Sequence, residues 1–180
     1  GEYDWILAKI TSEKQWRFQN AKRQIAGVSD YQVVDPAFNI PLIEDRVSSI
    51  FWRLQKAWLT QKTDPIWSVA HPDFVAQFEQ QRLKKFCFDN IELGLCEVTH
   101  VEFGEPFDRV YLLVKWQANK IDLNSNHSSD RGFYAHNITL IRKTGLVSDL
   151  KKGLHSLHCS GCGAPQSENY QDCCAYCGSR

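Results

Sequence analysis

Residues 107–121 read FDRVYLLVKWQANKI, with one of the chain's longest apolar runs, Val110 to Val114, near their centre. That run is far short of the roughly 20 residues a membrane helix needs, so a strand is the better reading. Upstream, residues 91–103 alternate and are rich in β-branched and aromatic side chains, and Gly104, Glu105 and Pro106 supply a turn between the two runs. Downstream, residues 122–132 (DLNSNHSSDRG) read as a polar loop and residues 133–143 as a third run. Runs of this kind separated by turn formers predict antiparallel hairpins.

Ahead of the strands the period changes. Ile43, Val47, Ile50, Phe51, Leu54, Ala57 and Trp58 recur at helical spacing, which predicts an amphipathic helix of about five turns ending near Thr60. Asp64 and Pro65 open a short helix, with Asp as cap and Pro at the first helical position. His71, Pro72 and Asp73 start another, with Phe74, Val75, Phe78, Leu83 and Phe86 along one side. Helices first and strands after is an α+β layout, with helices packed on one face of a curved antiparallel sheet.

Residues 3–26 read mainly as helix, broken near Thr11 to Glu13, where Ser12 would cap a second helix. Residues 27–41, with two prolines, read as a connector. The expected layout is a helical arm and connector over 1–34, an α+β domain over 35–153 and a small cysteine-rich unit over 154–180.

The 180 residues carry 21 basic and 21 acidic side chains, with 43% hydrophobic and 23% charged residues. This is the composition of a folded domain. It lacks the overall basic charge on which non-specific nucleic-acid binding relies. The Gly start and the lack of Met predict an expression fragment left by a cut tag, and any membrane anchor would lie before residue 1.

Five of the seven cysteines crowd the C-terminus. Cys159 and Cys162 form one Cys-x-x-Cys pair, Cys174 and Cys177 a second, and Gly163 and Gly178 follow them. Two thiolates at this spacing grip one ion, Gly tolerates the positive φ of the turn, and two such pairs close a tetrahedral structural Zn²⁺ site. Cys173 stands as an alternative to Cys174, at a spacing of three. His155 and His158 precede the site and read as solvated, because four thiolates fill the shell. A pair of disulfides is the competing reading. The odd count and a body otherwise free of disulfides favour zinc in a reducing compartment. Residues 156–180 hold one Arg and two acids, so the ribbon reads as a structural or protein-contact module and not a nucleic-acid grip.

Catalytic candidates are sparse. Asp89, Glu97, His100 and His136 are the acids and bases available to an isomerase-type pocket, but none sits in a motif that fixes geometry. Surface or satisfied strand residues are the plainer reading. Gly-rich phosphate loops, His-x-x-x-His pairs and serine elbows are absent from the sequence. Cys87, between Phe86 and Phe88, and Cys96 read as buried thiols. Phe51, Trp52, Trp58, Phe74 and Phe78 read as the wall of a pocket or of the core. Trp5 and Trp16, among Lys9, Lys14, Arg17, Lys22 and Arg23, mark a candidate membrane or partner surface. The alternative is that this arm packs on its own domain or on a second subunit.

Asp35 to Asn39, then Phe51 to Trp58 (FWRLQKAW), then a sheet, and finally the Cys-Gly-Ala-Pro and Cys-Ala-Tyr-Cys-Gly runs together resemble the bacterial Tim-forty-four-like domain proteins over about residues 35–180. Many of these carry a C-terminal zinc ribbon, and their eukaryotic relative is the scaffold of the mitochondrial inner-membrane import motor. The resemblance implies a cone-shaped fold similar to nuclear-transport-factor-two-like domains, in which a curved antiparallel sheet wraps helices around an apolar pocket. The mitochondrial relative binds cardiolipin-containing membranes and docks chaperone partners, whereas the bacterial members have no settled activity.

The expected function is therefore a non-enzymatic binding or scaffold domain. It would be peripheral to the membrane, on the cytoplasmic face of a bacterial inner membrane, and linked to protein translocation. Its apolar pocket would hold a lipid or a peptide, with anionic lipid or a protein as partner. The alternative is a small-molecule isomerase or dehydratase using the same pocket.

Overall fold

Asn39 starts the longest helix. Its side chain accepts a hydrogen bond from the Leu42 N–H at 3.0 Å, and Pro41 sits in the first turn, where a missing N–H is harmless. The helix runs Ile40–Thr60 (α2) and stops at Gln61, which adopts a left-handed conformation with φ 57°. Its buried face carries Ile43, Val47, Ile50, Phe51, Leu54, Ala57 and Trp58, the stripe that the spacing predicts, together with Trp52 and Gln55.

The computed structural model describes residues 4–12 and 25–148, and the backbone of 157–158 and 165–166. Four strands form one antiparallel sheet: β1 (Ile6–Ser12), β2 (Phe86–Glu102), β3 (Phe107–Asp122) and β4 (His127–Lys143), in the order β1-β4-β3-β2. Helices α1 (Val28–Val34), α2 and α3 (Pro72–Gln81) complete an α+β architecture, with a 3-10 turn at Asp64–Ile66. β3 alternates cleanly: Val110, Leu112, Val114, Trp116 and Ala118 are buried, with half-buried residues between them. Register shifts at three places along β2 and one in β1 mark points where a strand bends and twists more strongly.

The structure corrects the expectations in several places. Residues 6–12 are a strand, not a helix, because β4 offers them a long antiparallel partner, from Ile6 opposite Ile141 to Ser12 opposite His136. Long-range pairing overrides a weak local helix preference. Trp5 is 2% exposed and joins the core, so it is not a surface anchor. Its ring lies 5.9 Å from Tyr31 and 6.1 Å from Phe38. The connector contains α1, which begins after Gly27 at φ 84° and ends at Asp35, where Pro36 disfavours a further helical residue. The polar loop is shorter than expected, since β4 already starts at His127 and pairs it with Asp122. Thr63, not Asp64, precedes the 3-10 turn.

A buried polar cluster ties α1 to the sheet. Tyr31 Oη donates to Asp108 Oδ2 at 2.8 Å, and Arg142 Nη2 donates to Tyr31 Oη at 2.9 Å and to Asp35 Oδ2 at 2.7 Å. Ser148 donates to Asp35 from both its backbone N–H and its hydroxyl. The Arg142 guanidinium also lies 4.5 Å above the Trp5 ring.

Candidate functional site

The residues read as the wall of a pocket or of the core lie in the core, and two of them, Phe74 and Phe78, also border a cleft. Phe51, Trp52, Trp58, Phe74 and Phe78 are all buried, and the rings meet in a continuous chain. Phe51 lies 5.3 Å from Trp116, Trp116 4.7 Å from Phe88, Phe88 5.1 Å from Trp58, and Trp58 5.2 Å from Phe78. Aromatic rings at these separations fill the space between α2 and the sheet.

The four candidate acids and bases do not converge. Asp89 is exposed, His100 stacks on Tyr111 at 4.1 Å, and His136 stacks on Trp116 at 5.8 Å. Among the described residues no hydrogen bond joins any two of Asp89, Glu97, His100 and His136. Burial, aided by the nearby Arg82 charge, lowers the His136 pKa to about 4, so this imidazole is neutral at pH 7. The Cys96 thiol is pushed up to about 12 by burial and by Glu44, and burial also raises that of Cys87. Neither is a thiolate nucleophile at neutral pH.

Cys159, Cys162, Cys173, Cys174 and Cys177 lie outside the described residues, as do His155, Lys14, Trp16, Arg17, Lys22 and Arg23. The backbone on either side of the first cysteine pair is described: β5 (Leu157–His158) pairs antiparallel with β6 (Pro165–Gln166), Leu157 opposite Gln166 and His158 opposite Pro165. Residues 159–164, which include Cys159 and Cys162, therefore connect two paired strands. Among the described residues no cluster of three or more His, Cys, Asp or Glu forms a metal site.

What the structure adds is a cleft between β1 and α3. Leu7 anchors one end: its N–H donates to Val69 O at 2.8 Å, and its carbonyl accepts from the His71 N–H at 2.9 Å. α3 then starts at Pro72, with His71 Nδ1 accepting from the Asp73 N–H at 3.2 Å, and runs beside the rest of β1. The space left between them measures about 140 Å³. Phe74, Phe78 and Ile10 give it apolar lining, and Lys9, Thr11 and Arg82 polar lining.

Arg82 is the unusual member. It caps the C-terminal end of α3, is half-buried, and has no acidic partner among the described residues. Desolvation lowers its pKa, and among the described residues no carboxylate opposes the shift. Lys9, exposed on β1, adds a second cation to the same cleft. Sequence reasoning placed Lys9 on a binding surface but missed Arg82, because no local motif marks a residue whose surroundings come from two distant elements.

No protein-family model matches the chain, and neither the curated proteins nor the solved structures yield a match.

Proposed function

We propose that this chain is a non-enzymatic binding domain of the Tim-forty-four-like kind, peripheral to the membrane, whose β1–α3 cleft receives an anionic group at one end of a lipid or peptide. One observation carries the reading: Arg82 is partly desolvated and unmatched by any acid among the described residues, and it lines the same cleft as Lys9 and the apolar Ile10, Phe74 and Phe78. A guanidinium in that setting favours a carboxylate or phosphate, which supplies the charge-assisted hydrogen bonds that the described residues do not.

The cleft is well below the roughly 300–1,000 Å³ of a drug-sized ligand pocket, which argues for a head group or chain end and against a whole lipid tail. The rings packed between α2 and the sheet likewise argue that the tail is not held inside the cone. In this reading the bent strands are the cone's curved wall and the packed helices its filling. The pairing of β5 with β6 around Cys159 and Cys162 supports a ribbon in which Cys159, Cys162, Cys177 and Cys174 or Cys173 hold a structural Zn²⁺. Such a ribbon would give a partner protein a rigid platform at the cytoplasmic face of a membrane.

Co-flotation of the zinc-loaded chain with cardiolipin vesicles, phosphatidylcholine vesicles as control, tests the membrane part of this reading. Binding that requires the anionic lipid and is lost in Arg82→Gln is the expected result. Flotation indifferent to lipid charge, or none at all, overturns it.

A further inference from the structure

We propose that the cleft seats the C-terminal residue of a peptide that adds as a further strand to the outer edge of β1. This rests on the binding reading above and narrows its ligand from any anionic chain end to a peptide carboxylate.

The ladder itself supplies the first argument. Among the described residues β1 is an edge strand, with β4 as its one partner strand in the sheet. The N–H and C=O of Leu7 point away from β4, because they bond Val69 and His71. Leu7 and Leu140 are therefore a pair without mutual hydrogen bonds, and the backbone groups of Leu140 turn toward β3. Alternation along β4 gives Ile138 and His136 the same sense. Their partners across the ladder, Ile10 and Ser12, thus present N–H and C=O groups to the outer edge. The protein's own chain uses that edge at Leu7, and no described residue bonds it at Ile10 or Ser12.

Charge and size point to the same occupant. An extended chain laid along Ile10 and Ser12 runs between β1 and the face of α3 that carries Phe74, Phe78 and Arg82. Its terminal carboxylate meets Arg82 and Lys9, its last side chain meets Phe74, Phe78 and Ile10, and the Gln77 and Gln81 side chains of α3 also line the cleft. A groove between a sheet edge and a helix reads main chain by strand addition and the end residue by its pocket. At about 140 Å³ the cleft suits one residue, not an acyl chain. A lipid phosphate would satisfy the cations but leave the outward edge of β1 unused.

The test is fluorescence anisotropy on the zinc-loaded full chain with fluorescein-labelled hexapeptide pools ending in Leu, made as free acids and as C-terminal amides. The acid pool is expected to bind about tenfold or more tightly than the amide pool, a charge-assisted contact being the difference. Arg82→Gln removes that preference. Ser12→Pro deletes one outward N–H where an edge strand tolerates proline, and weakens the acid pool about threefold or more. Lys56→Gln, on the exposed side of α2, changes neither. Equal binding of acid and amide overturns the proposal. Arg82-dependent flotation on cardiolipin vesicles without peptide binding also overturns it while leaving the broader binding reading standing. Failure of both assays removes both.

Discussion

Arg142 Nη2 and Asp35 Oδ2 lie 2.7 Å apart with both side chains 1% exposed, a buried ion pair that fastens the end of α1 to the last residues of β4. Two charges are removed from water there. The pair stands because Asp35 also accepts from Ser148, and Arg142 also reaches Tyr31. Asp35→Asn leaves the guanidinium buried against a neutral amide. We expect a loss of about 3–5 kcal/mol in chemical denaturation. A loss below about 1 kcal/mol would show that the cluster relaxes around a lone cation.

The same carboxyl gives a pH dependence. Burial pushes the Asp35 pKa up, but the Ser148 and Arg142 hydrogen bonds outweigh it and the net shift is downward. A folded-state pKa below the unfolded value means the unfolded chain binds the proton first as pH falls. The stabilisation is complete above the ordinary carboxylate range and fades as pH drops through the folded value. Asp35→Asn should therefore cost most near neutrality and least in acid; a penalty that does not change with pH counts against the assignment.

His136 titrates in a different window. Its pKa falls from 6.5 to about 4, first through burial and then through Arg82. The unfolded chain again takes the proton first, so stability declines as pH drops from 6.5 toward 4, by about 3 kcal/mol over the full span. His136→Phe should flatten the profile over that interval while leaving the Asp35 limb in place. Identical profiles for the two proteins would mean that His136 is solvated.

The α2 helix and the three-strand body were legible because each repeats a local pattern: apolar residues at helical spacing from Ile43 to Trp58, alternation along β3, and turn formers between strands. What was not legible depends on partners far away in the chain. β1 is a strand because of β4, and its Ile6, Leu7 and Ile10 fit either period until that partner is known. Tyr31, Asp108 and Arg142 are unremarkable in sequence, and they meet Asp35 only through the tertiary fold. Arg82 reads as one more cation at a helix end, and its exposure to the cleft follows from the path of β1.

Gln55 breaks the apolar pattern of α2. It is 3% exposed, and neither its amide nitrogen nor its oxygen has a partner among the described residues. It lies one turn from Phe51 and from Trp58, inside the chain of rings that runs through Trp116 and Phe88. An unsatisfied buried amide costs about 1–3 kcal/mol, so Gln55→Leu, similar in size, should raise the melting temperature. A lower melting temperature would mean that the amide is bonded within the protein after all.

The cysteine-rich end supplies the remaining prediction. If Cys159, Cys162, Cys174 and Cys177 hold one Zn²⁺, the metal replaces the core that so short a unit cannot build, and the ion should be present at one per chain. Cys174→Ser should release it, while Cys173→Ser should leave it bound; the reverse pattern would move the ligand to Cys173. Thiol labelling separates the classes further. Chelation should expose the ribbon cysteines to rapid alkylation, whereas Cys96, with its thiol pushed up to about 12, should stay unreactive until the body unfolds. A chain that carries no zinc and shows two disulfides on mass analysis would replace the metal reading with the oxidised one, and with it the expectation of a reducing compartment.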